Sequence, residues 1–103
     1  MRLFSNQAEN GTSGDYQHPG KLLNIYVAGN LGGGTLAVEA QLPDKSGWLP
    51  IAGGQLDSPG LHVLNAAPLT VRVRLSGAAA PSLDVWLESD GASTYRRVFK
   101  RGE

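Results

Sequence analysis

The chain contains no cysteine. That excludes disulfide scaffolds, zinc held by thiolates and thiol catalysis, and it leaves no mark of the redox state of its compartment. Charge is sparse as well: Asp, Glu, Lys and Arg make up 17% of the 103 residues, and nine bases balance nine acids. Such a balance argues against a generally basic nucleic-acid binder and against a charge-rich disordered segment. No run approaches the ~20 consecutive apolar residues of a membrane-spanning helix. The opening Met1-Arg2-Leu3-Phe4-Ser5-Asn6-Gln7 lacks the apolar stretch of a secretion signal. A protein made and kept soluble, with no membrane association, is expected. Without such a signal, the Asn10-Gly11-Thr12 sequon reads as a chance match.

What the chain has in quantity is glycine and proline, fourteen and six. They recur at intervals mostly too short for a helix of usual length. Between them, side chains alternate. Leu69, Val71, Val73 and Leu75 fall on one face of an extended segment, with Thr70, Arg72, Arg74 and Ser76 on the other. Leu83, Val85 and Leu87 alternate with Asp84, Trp86 and Glu88, and the short connection at 77–82 predicts that these two strands pair as a hairpin. Leu36, Val38, Ala40 and Leu42 alternate with Thr35, Ala37, Glu39 and Gln41. The Gly32-Gly33-Gly34 run before them predicts another hairpin, back to the apolar strand at 22–28.

Pro43-Asp44-Lys45-Ser46-Gly47 has turn chemistry, since Pro fixes φ, Asp bonds its own backbone and Gly accepts positive φ. The chain then returns beside the preceding strand from Trp48, read as a core aromatic, to Ile51. Further strands are expected at 61–64, at 3–7 and at 95–100, while the polar segment 9–19 reads as a loop or extended arm. Strands spaced roughly 8–12 residues apart predict an all-β domain over 1–103. The expected architecture is one β-sandwich of seven or eight short antiparallel strands with extended termini, either jelly-roll-like or immunoglobulin-like.

Chemical motifs are few. His18 and His62 stand far apart without ligand-spaced partners, so they read as a loop and a strand-face residue, and neither a metal nor a cofactor is expected. Asp84 and Glu88 fall on the solvent face of a strand, with Asp90 close by, where carboxylates keep an edge soluble. No G-x-S-x-G elbow occurs. The Gly29-Asn30-Leu31-Gly32-Gly33-Gly34-Thr35 run lacks the Lys-Ser/Thr ending and the helix of a phosphate loop. A protein without catalytic function is the expectation.

The layout of charge carries more. Residues 1–90 hold five basic and eight acidic side chains, whereas 91–103 hold Arg96, Arg97, Lys100 and Arg101 against Glu103 alone. A basic tail with Tyr95, Val98 and Phe99 as apolar anchors can dock on the acidic surface of a second copy or of another partner. The same residues also read as an edge strand whose cations discourage aggregation. Direct nucleic-acid binding is not expected, because the acidic body would be repelled. Trp86 lies on the polar face of its strand, where pairing with the preceding strand would set it beside Arg72 and Arg74. The alternative is that loops or the C-terminal segment fold over it. The candidate partner-binding residues are Arg72, Arg74, Trp86, Tyr95, Arg96, Arg97, Phe99, Lys100 and Arg101.

Three stretches carry a family resemblance: Gly32-Gly33-Gly34-Thr35-Leu36-Ala37-Val38-Glu39, the turn leading to Trp48, and Leu69-Thr70-Val71-Arg72-Val73-Arg74-Leu75-Ser76-Gly77 followed by Pro81-Ser82-Leu83-Asp84-Val85-Trp86-Leu87. Together, over roughly 20–88, they resemble small β-sandwich virion proteins of tailed bacteriophages, especially capsid decoration or cement proteins. The resemblance implies a structural protein of the capsid exterior, synthesised in the host cytoplasm, that forms dimers or trimers and clamps neighbouring major capsid protein subunits. It carries over no binding residue. The alternative is a carbohydrate- or receptor-binding module of a phage tail fibre, head fibre or baseplate, for which Trp86, Tyr16 and Tyr26 are the available exposed aromatics.

Overall fold

Strands that alternate apolar and polar side chains have one face to bury, and two such sheets bury their faces against each other. The computed structural model describes residues 1–90 and shows this arrangement. The nine strands are β1 (Arg2–Gln7), β2 (Gly11–Thr12), β3 (Tyr16–His18), β4 (Lys21–Asn30), β5 (Thr35–Gln41), β6 (Trp48–Leu56), β7 (Gly60–Ala66), β8 (Leu69–Ser76) and β9 (Ser82–Asp90). The segment 91–103 lies outside the described residues, and with it the strand expected at 95–100 and the candidates Tyr95, Arg96, Arg97, Phe99, Lys100 and Arg101.

All pairings are antiparallel. Sheet A has the order β1-β9-β4-β7, and sheet B the order β2-β8-β5-β6, with β3 also pairing with β8. Taking β2 and β3 as one interrupted strand gives two four-stranded sheets in jelly-roll order, which decides between the two expected sandwiches. The central strands supply the core. Leu23, Ile25 and Val27 of β4 and Leu83, Val85 and Leu87 of β9 face Leu36 and Val38 of β5 and Val71, Val73 and Leu75 of β8, all buried. Each such side chain contributes about 1.5–3 kcal/mol by leaving water. Phe4 of β1 and Leu56 of β6 extend the same cluster.

Two expected hairpins are not formed. The strand at 22–28 and the strand after the glycine run lie in different sheets, as do β8 and β9. Facing sheets are ~10 Å apart, and an extended chain covers up to ~3.5 Å per residue. A connection as short as 31–34 or 77–81 therefore crosses between layers as readily as it turns back within one. The two crossings meet, with the Ala79 N–H donating to the Gly32 carbonyl at 2.9 Å. The expected return at Trp48 does form, as β5 pairs with β6. Its turn is closed by Leu42 N–H to Gly47 O at 2.9 Å and Lys45 N–H to Leu42 O at 2.8 Å. The left-handed residue there is Lys45, at φ 61°, rather than Gly47.

The segment 9–19 is not a free loop or arm. Gly11 and Thr12 pair with Leu75 and Arg74, and Tyr16, Gln17 and His18 pair with Val71, Thr70 and Leu69. Between them Ser13 patches the ladder: its N–H donates to Val73 O at 2.9 Å, and its hydroxyl accepts from Val73 N–H at 3.0 Å. A polar, glycine-containing composition reads as loop, yet an edge strand needs one paired side only.

The glycine run gives a graded test. Gly32 and Gly33 both have positive φ, at 64° and 78°, but a Cβ at Gly32 would collide with the Ala79 carbonyl while one at Gly33 meets open space. Gly33→Ala should cost about 1–2 kcal/mol from backbone strain alone. Gly32→Ala should cost clearly more, because the two crossing loops must part. Urea unfolding of both variants measures the difference, and equal costs would contradict the packing of the loops.

Candidate functional site

The outward face of sheet A gathers the most distinctive side chains. Register places Arg2 opposite Trp86, Trp86 opposite Tyr26 and Tyr26 opposite Leu61, one row across all four strands. The Arg2 guanidinium sits 4.9 Å from the Trp86 ring centre, a cation–π contact, and pairs with Asp84 at 2.5 Å. Asp84 also accepts the Asn6 backbone N–H at 2.8 Å. That bond first, and Arg2 second, hold the Asp84 carboxyl below its ordinary range. Beside the row, the Tyr26 hydroxyl donates to Glu88 at 2.8 Å, and this bond to a carboxylate raises the pKa of the phenol. Met1, Tyr26, Ala28, Gly60, Trp86 and Glu88 border a shallow depression of about 500 Å³. Leu61 and Val63 extend the surface along β7 and remain 58% and 51% exposed.

Trp86 is thus outward and half-buried, but its cation is Arg2, because β9 pairs with β1 and not with β8. Arg72 and Arg74 stand on the outward face of sheet B and form no common site with it. There they converge on Glu39, which is buried although its strand pattern places it on the polar side. Arg72 Nε lies 2.8 Å from one carboxylate oxygen, and Arg74 Nη1 lies 3.8 Å from the other. The Arg72 guanidinium also stacks 4.3 Å from the ring centre of Trp48. Trp48 is therefore no core aromatic; it lies half-buried at the start of β6 as part of the cover over Glu39. Cross-strand register explains the cluster, since β5 sets Glu39 opposite Arg72 on one side and opposite Pro50 on the other.

A third cluster stitches the sheets together. His18, expected in a loop, is buried in β3, with Nδ1 2.7 Å from the Ser89 hydroxyl and Nε2 3.2 Å from both Lys21 O and Ala66 O. Carbonyls only accept, so Nε2 carries a proton, and in the neutral imidazole Nδ1 accepts from Ser89. The Ser89 oxygen then receives the Tyr16 hydroxyl at 2.8 Å. Tyr16 is thereby tied between the sheets and does not share a face with Trp86 and Tyr26. Among the described residues, no three His, Asp or Glu side chains gather in a way that could hold a metal ion.

No protein-family model, curated protein or solved structure matches the chain. Arg2 is the participant that sequence reasoning missed, while Tyr26 is singled out only for the carbohydrate-binding alternative. The alternation of Arg2 with Phe4 signals that Arg2 points outward, but only the pairing of the first strand with the last places it against Trp86.

Arg72→Ala leaves the buried Glu39 with one distant cation, and should destabilise the fold by about 2–4 kcal/mol with a red shift of Trp48 fluorescence. Glu39→Gln keeps an acceptor in place and should cost less, as read by urea unfolding. Asp84 has its pKa lowered by folding, so its stabilising contribution is complete above the unfolded value near 3.8 and is lost as pH falls through the folded value. The stability difference between wild type and Asp84→Asn should thus be constant near neutrality and shrink below about pH 4. A difference that grew on acidification would contradict the assignment.

Proposed function

We propose that the chain is a non-enzymatic structural module, a capsid decoration protein that binds the outside of a phage head and bridges major capsid subunits. The observation that carries this reading is the Arg2–Trp86–Tyr26–Leu61 row with its polar margin. Interfaces between proteins combine aromatic anchors and arginine at the centre with hydrogen-bonding groups around them. Here Trp86, Tyr26 and Leu61 supply the anchors, and Arg2, Asp84 and Glu88 the margin. The choice of a capsid as the partner comes from the resemblance over 20–88. A contact made only in the assembled head stabilises that head by linkage, and a rigid two-layer body suits a clamp that must not yield. The basic, aromatic segment 91–103 gives a second attachment to an acidic surface. We place this contact on sheet A rather than at Arg72 and Arg74, which face Glu39 on the other sheet.

A second reading has its own support. Tyr26 and Trp86 are adjacent on one face with the Glu88 carboxylate bonded to the Tyr26 hydroxyl, an arrangement that also suits stacking on a sugar with hydrogen bonds to its hydroxyls. That would make the chain a carbohydrate-binding module of a fibre or baseplate.

Co-sedimentation with heads lacking the protein separates the two. Wild type should bind such heads saturably and raise the temperature at which they lose DNA. Trp86→Ala and Tyr26→Ala, checked for folding by circular dichroism, should each weaken binding about tenfold or more, whereas Arg74→Ala should not. Absence of head binding together with selective glycan-array binding would replace the first reading by the second.

A further inference from the structure

The sandwich has four edge strands among its described residues, and three carry devices that block pairing with another chain. β1 has two register shifts against β9 and a left-handed Asn6 at φ 54°. β6 has Pro50, which lacks an N–H, and a register shift opposite β5 between Ala37 and Glu39. The third edge is broken between β2 and β3. Such irregularities, with proline and edge charges, are how sheets avoid joining edge to edge. β7 has none of them past its first residue, Gly60, whose φ is 136°. Its seven residues, Gly60–Ala66, run in unbroken register with β4, from Lys21 opposite Ala66 to Val27 opposite Gly60. It contains no proline, no lysine, no arginine and no carboxylate, and its outward side chains Leu61 and Val63 are more than half exposed.

We propose that β7 pairs antiparallel with β7 of a second copy about a twofold axis, joining two A sheets into one of eight strands. Self-pairing suits this strand because symmetry sets each residue beside its own kind or a near neighbour, and a strand without formal charge meets no like-charge repulsion. The register that engages all seven residues puts Val63 on the axis, opposite its own counterpart, with Leu61 opposite Asn65 and Gly60 opposite Ala66. Opposite charges then fall at the same end of the joined sheet: Asp57 precedes the start of β7, and Lys21 lies beside its end. The Trp86–Tyr26–Leu61 rows of the two copies lie on the same side of the joined sheet, and together they double the docking surface. The dimer stands on the edge strand alone and does not depend on what that surface binds.

The absence of cysteine makes the test direct, since a single introduced thiol is the only one in the chain. Directly opposed residues of an antiparallel pair have Cα atoms about 4.5–5.5 Å apart, within the range a disulfide spans. Full-length Val63→Cys should therefore form a disulfide-linked dimer under mild oxidation, and Leu49→Cys, equally exposed on the proline-protected edge, should not. Light scattering should find the wild type as a concentration-dependent dimer, with Val63→Lys and Leu61→Lys each raising its dissociation constant about tenfold or more. Leu49→Lys serves as the control and should leave the dimer intact. A monomer at all concentrations, a trimer, or a dimer indifferent to both lysine variants would overturn the proposal. These measurements need no capsid, so loss of head binding and loss of the dimer are separate results.

Discussion

Everything in this molecule depends on the burial of two apolar faces against each other. No helix and no disulfide is available among the described residues to hold either sheet by itself, and an apolar face left in water forfeits the stabilisation that covering it provides. Leu23, Ile25 and Val27 have value only because Val71, Val73 and Leu75 lie across from them, and the reverse holds equally. Once the inward positions are committed to that contact, the period of two turns every intervening residue outward. The outer surfaces are the other half of the same constraint, so what the protein offers a partner is fixed by what its core requires.

The two outward faces use this freedom differently. On sheet B the Arg72–Glu39 pair, Arg74 and the Trp48 ring satisfy one another, and the buried carboxylate has its compensation within the chain. On sheet A the aromatic side chains are held upright by polar neighbours at their margins, while Leu61 and Val63 have no such cover among the described residues. A surface that satisfies itself contributes to stability. One that leaves apolar groups in water has a reason to meet something else.

The alternating strands were legible in the residues, but of the expected pairings only the return of β6 beside β5 was, and the edge pieces at 11–18 read as loop. Alternation at 69–75 and 83–87 locates β8 and β9 closely, because one-sided burial is a local property. Which sheet each joins is not local: the connections at 31–34 and 77–81 are as compatible with a crossing as with a hairpin, so both expected hairpins were wrong. The same gap moved Trp86 from Arg72 and Arg74 to Arg2, which lies 84 residues away along the chain. Trp48 and His18 exchanged expected roles for a related reason. A large ring suggests a core and an isolated imidazole a loop, yet a cation that stacks on the ring and three acceptors or donors around the imidazole reverse both assignments. The turn at Pro43–Gly47 was readable because its chemistry is contained within five residues.

The position of β9 has a consequence for synthesis. The last described strand sits between β1 and β4, so neither of those can complete its pairing in sheet A until residue 90 has left the ribosome. Until then the nascent chain holds an incomplete layer with its apolar side uncovered, and final closure joins segments separated by nearly the whole described length. Such high contact order slows folding and makes the interval before β9 emerges the period of greatest exposure to aggregation.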